Sequence, residues 1–375
     1  MFGRGIRLGK ISGIEIWVDY SWLIIFALVL WSLAAGFFPQ EYPGLGKTAY
    51  WIMGAVAAVL LFASVLLHEL SHSFVAQRTG IPVPRITLFV FGGVAQIAEE
   101  ARTAKAEFNI AVAGPICSFA LALVFWILSK SDFILANESL LAIFEYLAFI
   151  NVALAVFNLI PGFPLDGGRI LRAYLWHKWQ DLRKATYTVS RIGSGFGIGL
   201  IVLGLVSFFM GNIIGGAWFV FIGMFLNQAA KSGYQMTLLQ DTLSGVKVSD
   251  IMTPNVISVP ESISLHELVE NYFYRYIFVS FPVVNESGEL KGMVSIKQVK
   301  DVPQDRWHEK RVGDIMIRDS EVKALNPDDE AMKAFNLLMK NELGRLPVIS
   351  REKLVGIVSR RDLMTLLTIK TDLGV

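Results

Sequence analysis

Two histidines and a glutamate lie in the string LLHELSHSFV, residues 66–75, within one of the most apolar stretches of this 375-residue sequence. No charged residue occurs in the twenty positions before His68. Positions i and i+4 of a helix share a face, so His68 and His72 can bind one metal ion together. Glu69 follows directly, where it can act as general base on a water molecule at that ion. The string therefore predicts metal-dependent hydrolysis.

The alternative for these three side chains is a proton relay. Ionisable residues inside a membrane segment are costly and generally functional, so a role for them is expected in either case. The i, i+4 spacing of the two imidazoles favours a metal ion.

A third ligand is expected from elsewhere in the chain, because a catalytic zinc ion commonly has three protein ligands and one open position. Asp166 lies in NLIPGFPLDGGR, residues 158–169, and is the only carboxylate between Glu145 and Asp181. The prolines and glycines around it interrupt the helix, so its side chain can turn inward at the depth of His72. By itself an Asp-Gly pair is more typical of a surface turn. Together with the two histidines, it favours a metal ligand.

The composition predicts an integral membrane protein that supplies these residues from several helices. The chain is 54% hydrophobic and 18% charged, whereas a soluble domain has about 25% charged residues. Five uncharged runs are long enough to span a bilayer, and the last, of 39 residues, should form two helices broken at Met210–Asn212. Six helices follow. The runs are residues 20–40, 48–68, 108–129, 146–165 and 192–230.

The distribution of lysine and arginine predicts an N-terminus in the cytoplasm. Only Lys47 and Lys130 fall in the opposite loops. The predicted cytoplasmic segments hold Arg4, Arg7, Lys10, Arg85, Arg102, Lys105, Arg169, Arg172, Lys178, Arg183, Lys184 and Arg191. The net charge of +2 argues against a nucleic-acid partner, and the single Cys117 excludes an internal disulfide.

Two segments of the membrane region favour strands rather than helices. Residues 6–18 alternate in polarity and predict a strand pair at the membrane surface. Residues 85–98 are rich in β-branched and aromatic side chains around Gly92-Gly93, which predicts a hairpin dipping into the membrane. Such a hairpin needs protein or a wet cavity around it.

An internal repeat follows residue 230. GMVSIKQV at 292–299 parallels GIVSRRDL at 356–363, an offset of 64 residues, and VSDIM at 248 parallels VGDIM at 312. Two β-α-β-β-α units are expected. The predicted organisation is a membrane domain at 1–230, a linker at 231–245, and the two units at 246–302 and 312–370.

Three motifs together resemble the site-2 protease family of intramembrane zinc metalloproteases. They are HELSH at 68–72, GPICS at 114–118, and the series Asn158, Pro161, Pro164-Leu-Asp166-Gly-Gly-Arg169. The repeat resembles a tandem pair of cystathionine-β-synthase (CBS) domains, as in the branch of the family with C-terminal CBS domains. The resemblance implies a multi-pass α-helical membrane protein, with six transmembrane helices and a membrane-associated β-hairpin, plus a soluble α+β tandem CBS pair. It also implies the cell membrane as its location, with the N-terminus and the CBS domains cytoplasmic.

The resemblance assigns roles to the motif residues. His68, His72 and Asp166 would bind one zinc ion, with Glu69 as the general base. Asn158 matches a polar family position that contacts substrate near the metal, although capping the broken helix is an equal alternative. The substrate would be a transmembrane segment of another protein, held extended against the hairpin, and cleavage would serve regulated intramembrane proteolysis.

The CBS pair predicts one adenine nucleotide site rather than two. The second copy has an intact G-x-x-[ST]-x-x-D string in Gly356, Ser359 and Asp362, whose hydroxyl and carboxylate would bind ATP, ADP or AMP, whereas Gln298 replaces the aspartate in the first copy. Homodimerisation through the CBS domains, without nucleotide, is the alternative.

Two rival functions belong to other classes. A CBS-regulated transporter would be favoured by ionisable residues spread over several spans, but here they cluster around one set of metal ligands. A catalytically silent metal-binding scaffold is the second rival, and it shares every motif above.

Overall fold

The chain divides between Gln235 and Met236 into two units. The computed structural model describes residues 5–90, 92–96, 101, 103–318, 320–340 and 344–373.

Six helices of the described chain are long and apolar enough to cross a membrane, as the sequence predicts. A shorter amphipathic helix, α5, precedes the fifth of them. The bounds are α1 Tyr20–Glu41, α2 Lys47–Arg78, α3 Ala104–Ser129, α4 Glu138–Asn158, α5 Asp166–Trp179, α6 Leu182–Phe209 and α7 Ile213–Leu243. A π-helical turn at Leu33–Phe37 interrupts α1, and a short helix, Asp132–Leu135, precedes α4. The predicted break at Met210–Asn212 separates α6 from α7.

The predicted bounds of the fourth span, 146–165, are wrong at both ends. The helix ends at Asn158, because the following stretch contains two prolines and Gly162. It begins at Glu138, where Asn137 accepts a hydrogen bond from the Leu140 amide as its N-cap. The bounds of an uncharged run therefore reflect apolar composition and do not predict where the helix begins and ends.

Four strands form a small sheet beside the helices. The strands are β1 Gly5–Ile11, β2 Ile14–Asp19, β3 Arg85–Phe89 and β4 Gly92–Gln96. Their order is β1-β2-β3-β4, with β2 and β3 parallel and the other pairs antiparallel. The strand pair and the hairpin predicted from the sequence both form, and positions 91, 97 and 98 of the predicted hairpin lie outside the described residues. Among the described residues β4 ends the order and so is an edge strand.

The second unit contains the two repeats, each with its own hydrophobic core. The strands are β5 Val259–Pro260, β6 Ser280–Val284, β7 Leu290–Ser295, β8 Ile317–Arg318, β9 Arg345–Ser350 and β10 Lys353–Ser359. The helices are Val248–Ile251, Leu265–Leu268 continued by Val269–Phe273 and Tyr274–Tyr276, Ile296–Lys300, Val312–Ile315, Ala331–Lys340 and Arg360–Leu373.

The first segment of each repeat pairs with a strand of the other repeat. β8, at the start of the second repeat, pairs with β7 of the first. Reciprocally, Thr253 of the first repeat pairs with Ile357 on β10, through backbone hydrogen bonds of 2.9 and 3.1 Å. The exchange joins the two repeats into one body.

Candidate functional site

Two histidines and one aspartate converge inside the first unit. His68 and His72 lie on one face of α2, and Asp166 is the first residue of α5; all three are buried. Asp166 Oδ2 lies 3.1 Å from His68 Nε2 and 3.2 Å from His72 Nε2, and the two ring nitrogens are 3.2 Å apart. Segments almost a hundred residues apart in sequence thus direct three potential ligand atoms at one point.

The second nitrogen of each imidazole is held from α3. His72 Nδ1 lies 2.6 Å from the carbonyl oxygen of Ile110, so this nitrogen must donate. His68 Nδ1 lies 2.9 Å from Ser118 Oγ. Such outer contacts fix the tautomer and the ring orientation of metal-binding histidines. The Ile110 carbonyl thereby leaves the Nε2 lone pair of His72 for a metal ion, and Ser118 can accept from His68 Nδ1 to do the same for His68.

The donor set fits zinc. Two imidazole nitrogens and one carboxylate oxygen are ligands that zinc accepts, and three protein ligands leave a coordination position open, as in catalytic zinc sites.

Gly114 makes room for this arrangement. A Cβ at this position would overlap the Nε2 atoms of both His72 and His68. Gly114 and Ser118 are four residues apart on α3, so they share the face that meets the histidines. This accounts for the Gly-x-x-x-Ser spacing of the third span.

A tightly packed turn places Asp166. Gly168 contacts the turn backbone at Gly162 and Phe163, and Gly193 of α6 contacts the Phe163 carbonyl from the other side; a Cβ on either glycine would overlap these atoms. Gly167 is packed in the same way against Leu159. Side chains larger than hydrogen at these positions would overlap the backbone of the turn that leads to Asp166.

Glu69 lies beneath the edge strand. A Cβ on Gly93 of β4 would overlap Glu69 Cγ, so the strand backbone passes directly over this side chain. Glu69 is thereby next to His68 in sequence and next to a strand edge in space.

Asn158 ends α4, and its side chain is half-buried. Its amide nitrogen donates to the Leu154 carbonyl of its own helix at 3.0 Å.

Ile110 was not singled out by the sequence analysis. Gly114 and Ser118 appeared there only as parts of a family motif, and Gly93 only as part of the hairpin turn, so none of the three had a stated role at the metal site. The i, i+4 spacing of Gly114 and Ser118 was a usable signal, since it matches the spacing of the two histidines. Ile110 contributes a backbone carbonyl, for which no side chain gives a signal.

A cavity of about 520 Å³ lies between the two repeats of the second unit, within the usual size range of ligand sites. Ser359 and Asp362 line it, as do Thr253, Asn255 and Ser280 from the first repeat. The predicted nucleotide-binding residues therefore lie at a cavity.

Ser359 and Asp362 also cap a helix. Ser359 donates from its amide and its hydroxyl to Asp362 Oδ2, at 2.8 and 2.7 Å. Ser295 makes the same two bonds to Gln298 Oε1 in the first repeat. Gln298 thus caps its helix as Asp362 does, but it provides no negative charge.

Cationic and aromatic groups complete the cavity wall. The Arg345 guanidinium lies 4.2 Å from the centre of the Phe278 ring. Partial burial lowers the pKa of Arg345 from its usual value, and the nearby Asp362 carboxylate opposes the shift. The group stays charged at neutral pH, because an arginine is not deprotonated in proteins.

Comparisons with known proteins agree with both units. The model of "Peptidase family M50" matches residues 56–135 and 132–204, and that of "CBS domain" matches 248–304 and 312–369. A putative zinc metalloprotease, Rip3, of Mycobacterium tuberculosis is 36% identical over 97% of this chain and 93% of its own. The chain belongs to peptidase family M50.

Two further similarities cover more than half of the chain. The zinc metalloprotease MJ0392 of Methanocaldococcus jannaschii is 32% identical over 98% of both chains. A solved structure named as a site-2 protease from that organism covers 62% of this chain and 95% of its own, with 31% identity and a TM-score of 0.44. This M50 protein is a multi-pass zinc metalloprotease of the site-2 protease family with tandem CBS domains, which places it with proteases rather than with CBS-regulated transporters.

Proposed function

We propose that this M50 protease uses His68, His72 and Asp166 to hold its catalytic zinc ion, with Glu69 as the general base. Its substrate is a membrane protein, cut within or near a transmembrane segment. The observation that carries the proposal is the convergence of three ligand atoms, beside a carboxylate, among helices apolar enough to cross a membrane.

Zinc at this site would supply Lewis acidity, activating a water molecule and polarising the scissile carbonyl. Glu69 takes a proton from the attacking water and passes it to the leaving amine. His68 and His72 keep their orientation throughout, because Ser118 and the Ile110 carbonyl hold their Nδ1 atoms. Hydrolysis of the peptide bond then leaves a new carboxylate on one fragment and a new amine on the other.

The substrate binds in an extended form on β4. A transmembrane helix uses its carbonyl groups in its own hydrogen bonds, so the segment must unwind before attack. The edge of β4 offers backbone partners for an added strand, and Gly93 lies directly over Glu69. Asn158 contacts the substrate near the metal in this arrangement.

The protease has its N-terminus and CBS domains in the cytoplasm. The lysine and arginine distribution supports this orientation. We divide the chain into a protease domain at 1–230, a linker at 231–245 that is helical as far as Leu243, and CBS domains at 246–302 and 312–370.

The CBS pair binds one adenine nucleotide, ATP, ADP or AMP, and thereby regulates cleavage. The cavity supports this, because Ser359 and Asp362 offer a hydroxyl and a carboxylate for a ribose, and Arg345 offers charge for phosphate. Homodimerisation through the CBS domains is the alternative role of the pair.

Reconstitution with a single-span substrate tests the function. The purified protease, loaded with zinc in bilayers, should release two fragments whose termini, read by mass spectrometry, lie within or next to the span. Cleavage only in soluble loops, or none of any single-span substrate, would contradict the proposal.

A further inference from the structure

A buried ion pair joins α3 to α5. Glu107, in the first turn of α3, is 1% exposed, and Arg172 of α5 is 7% exposed. Arg172 Nε donates to Glu107 Oε1 at 2.5 Å, and its Nη2 contacts the same oxygen. Two nitrogens of one rigid guanidinium therefore hold one carboxylate oxygen.

This pair lies on the two elements that build the metal centre. Glu107 precedes Ile110, the acceptor of the His72 Nδ1 proton, by three residues on α3. Arg172 follows Asp166 by six residues on α5, which is about 9 Å along a helix axis. The helix that orients one ligand is thus fixed to the helix that carries another.

Arg172 also holds the turn before Asp166. Its guanidinium lies 4.9 Å from the centre of the Phe163 ring, and Phe163 is three residues before Asp166. A cation over an aromatic face is attracted to it, more strongly when water is excluded. One side chain therefore contacts the turn that leads into α5 and ties α5 to α3.

We propose that Glu107 and Arg172 are positioning residues for the metal site. The pair sets the position of Asp166 relative to His68 and His72, and so sets zinc affinity and the rate of hydrolysis. This inference rests on the ligand set of the proposed function. The competing account is that the pair only packs α3 against α5. Buried ion pairs can often be replaced by apolar side chains without loss of stability, so the two accounts can be separated.

Arg172→Lys in the full-length protein tests the proposal. Lysine keeps the charge but cannot direct two fixed nitrogens at one oxygen. Zinc affinity, measured by competition with a chromogenic chelator, should fall about tenfold, as for other outer contacts of zinc sites. The kcat should fall while KM is unchanged, since no substrate contact is removed. Lys178→Met, an exposed change on the same helix, should alter neither quantity.

The double variant Glu107→Leu, Arg172→Met removes both charges together, so neither member of the pair stays buried without the other. We expect it to fold and to bind zinc at least as weakly as Arg172→Lys. If it does not fold, Arg172→Lys alone decides. Zinc affinity at the unchanged level in Arg172→Lys would overturn the proposal, even with a lowered unfolding midpoint, because the pair would then serve packing only.

A parallel His72→Ala variant separates this failure from failure of the ligand set. Loss of zinc in His72→Ala, with full affinity in Arg172→Lys, would overturn the positioning role alone. Full zinc content in His72→Ala would overturn the ligand set, and the positioning role with it.

Discussion

At the scale of single residues, the proposed metal site needs one ligand from a different helix than the other two. His68 and His72 share α2, whereas Asp166 reaches them from the start of α5. Two imidazoles one helical turn apart do not complete a catalytic zinc site, which needs a third protein ligand. Zinc content should therefore respond to Asp166 as strongly as to a histidine.

Asp166→Ala should lower the zinc content of the purified protein to the level of His72→Ala, because each change leaves two ligands. Elemental analysis after purification without added metal measures this. Asp132→Ala is the matched control, since that carboxylate is exposed and lies in a separate short helix. Normal stoichiometry in Asp166→Ala would remove Asp166 from the ligand set.

The types and spacing of these side chains were predictable from the sequence, whereas their supports were only partly so. His68, Glu69 and His72 follow from helix periodicity. The partner of His72 is a backbone carbonyl, at Ile110, and any residue type has one. Glu107 and Arg172 pair across 65 positions, and nothing local in the sequence connects them.

At the scale of elements, glycines determine how closely the parts approach the metal site. β4 passes over Glu69 only because Gly93 has no side chain. The same sheet contains Gly9, on β1, where a Cβ would meet no atom within 4 Å. Comparing alanine substitutions at the two glycines therefore separates the effect of crowding Glu69 from the general effect of an alanine in a strand.

Gly93→Ala should lower kcat at least tenfold while zinc content stays normal, because the added methyl group displaces the carboxylate and not the ligands. Single-turnover cleavage and elemental analysis on the same sample measure the two quantities. Gly9→Ala should leave both unchanged. Full activity in Gly93→Ala would show that Glu69 does not need its place under β4.

Element types were more predictable than element ends. The hairpin and all six spans follow from composition and periodicity. The prolines and Gly162 after Asn158 end α4, and the turn that they form packs against Gly168 and Gly193, the second of which lies 35 residues after the end of the helix. A hydropathy run extends across that turn, since prolines and glycines are uncharged.

At the scale of the whole molecule, the orientation of the helices decides which side of the membrane holds the new ends of a substrate. In a Cys117→Ser background, single cysteines near Lys47 and Lys130 should react with an impermeant thiol reagent on intact cells. Cysteines near Arg183 should react only after permeabilisation. The positive residues kept in the cytoplasm are the physical reason. The reverse labelling pattern would place the N-terminus outside.

The second unit provides a matched test of nucleotide binding. Asp362→Ala and Gln298→Ala each remove one equivalent helix cap, so their effects on stability should be alike. Only Asp362→Ala should weaken binding of ATP, ADP or AMP in calorimetry, and cleavage by the unaltered protease should respond to ATP. No binding of any of the three at millimolar concentrations would leave the CBS pair as a dimerisation module.

The repeats were predictable at this scale, and their connection was not. Matching strings 64 residues apart give two copies. The exchange of first segments depends on Thr253 meeting Ile357 across the copies, and short extended segments carry no signal for their partner.

The most direct test of Glu69 as general base compares cleavage of one single-span substrate by Glu69→Gln and by the unaltered protease. The zinc content of both proteins is determined as well. Glutamine has nearly the size of glutamate but cannot take a proton. The account predicts equal zinc content in the two proteins and cleavage lowered at least a hundredfold in Glu69→Gln, the usual scale for a general base. Full cleavage by Glu69→Gln, with zinc bound, would contradict it.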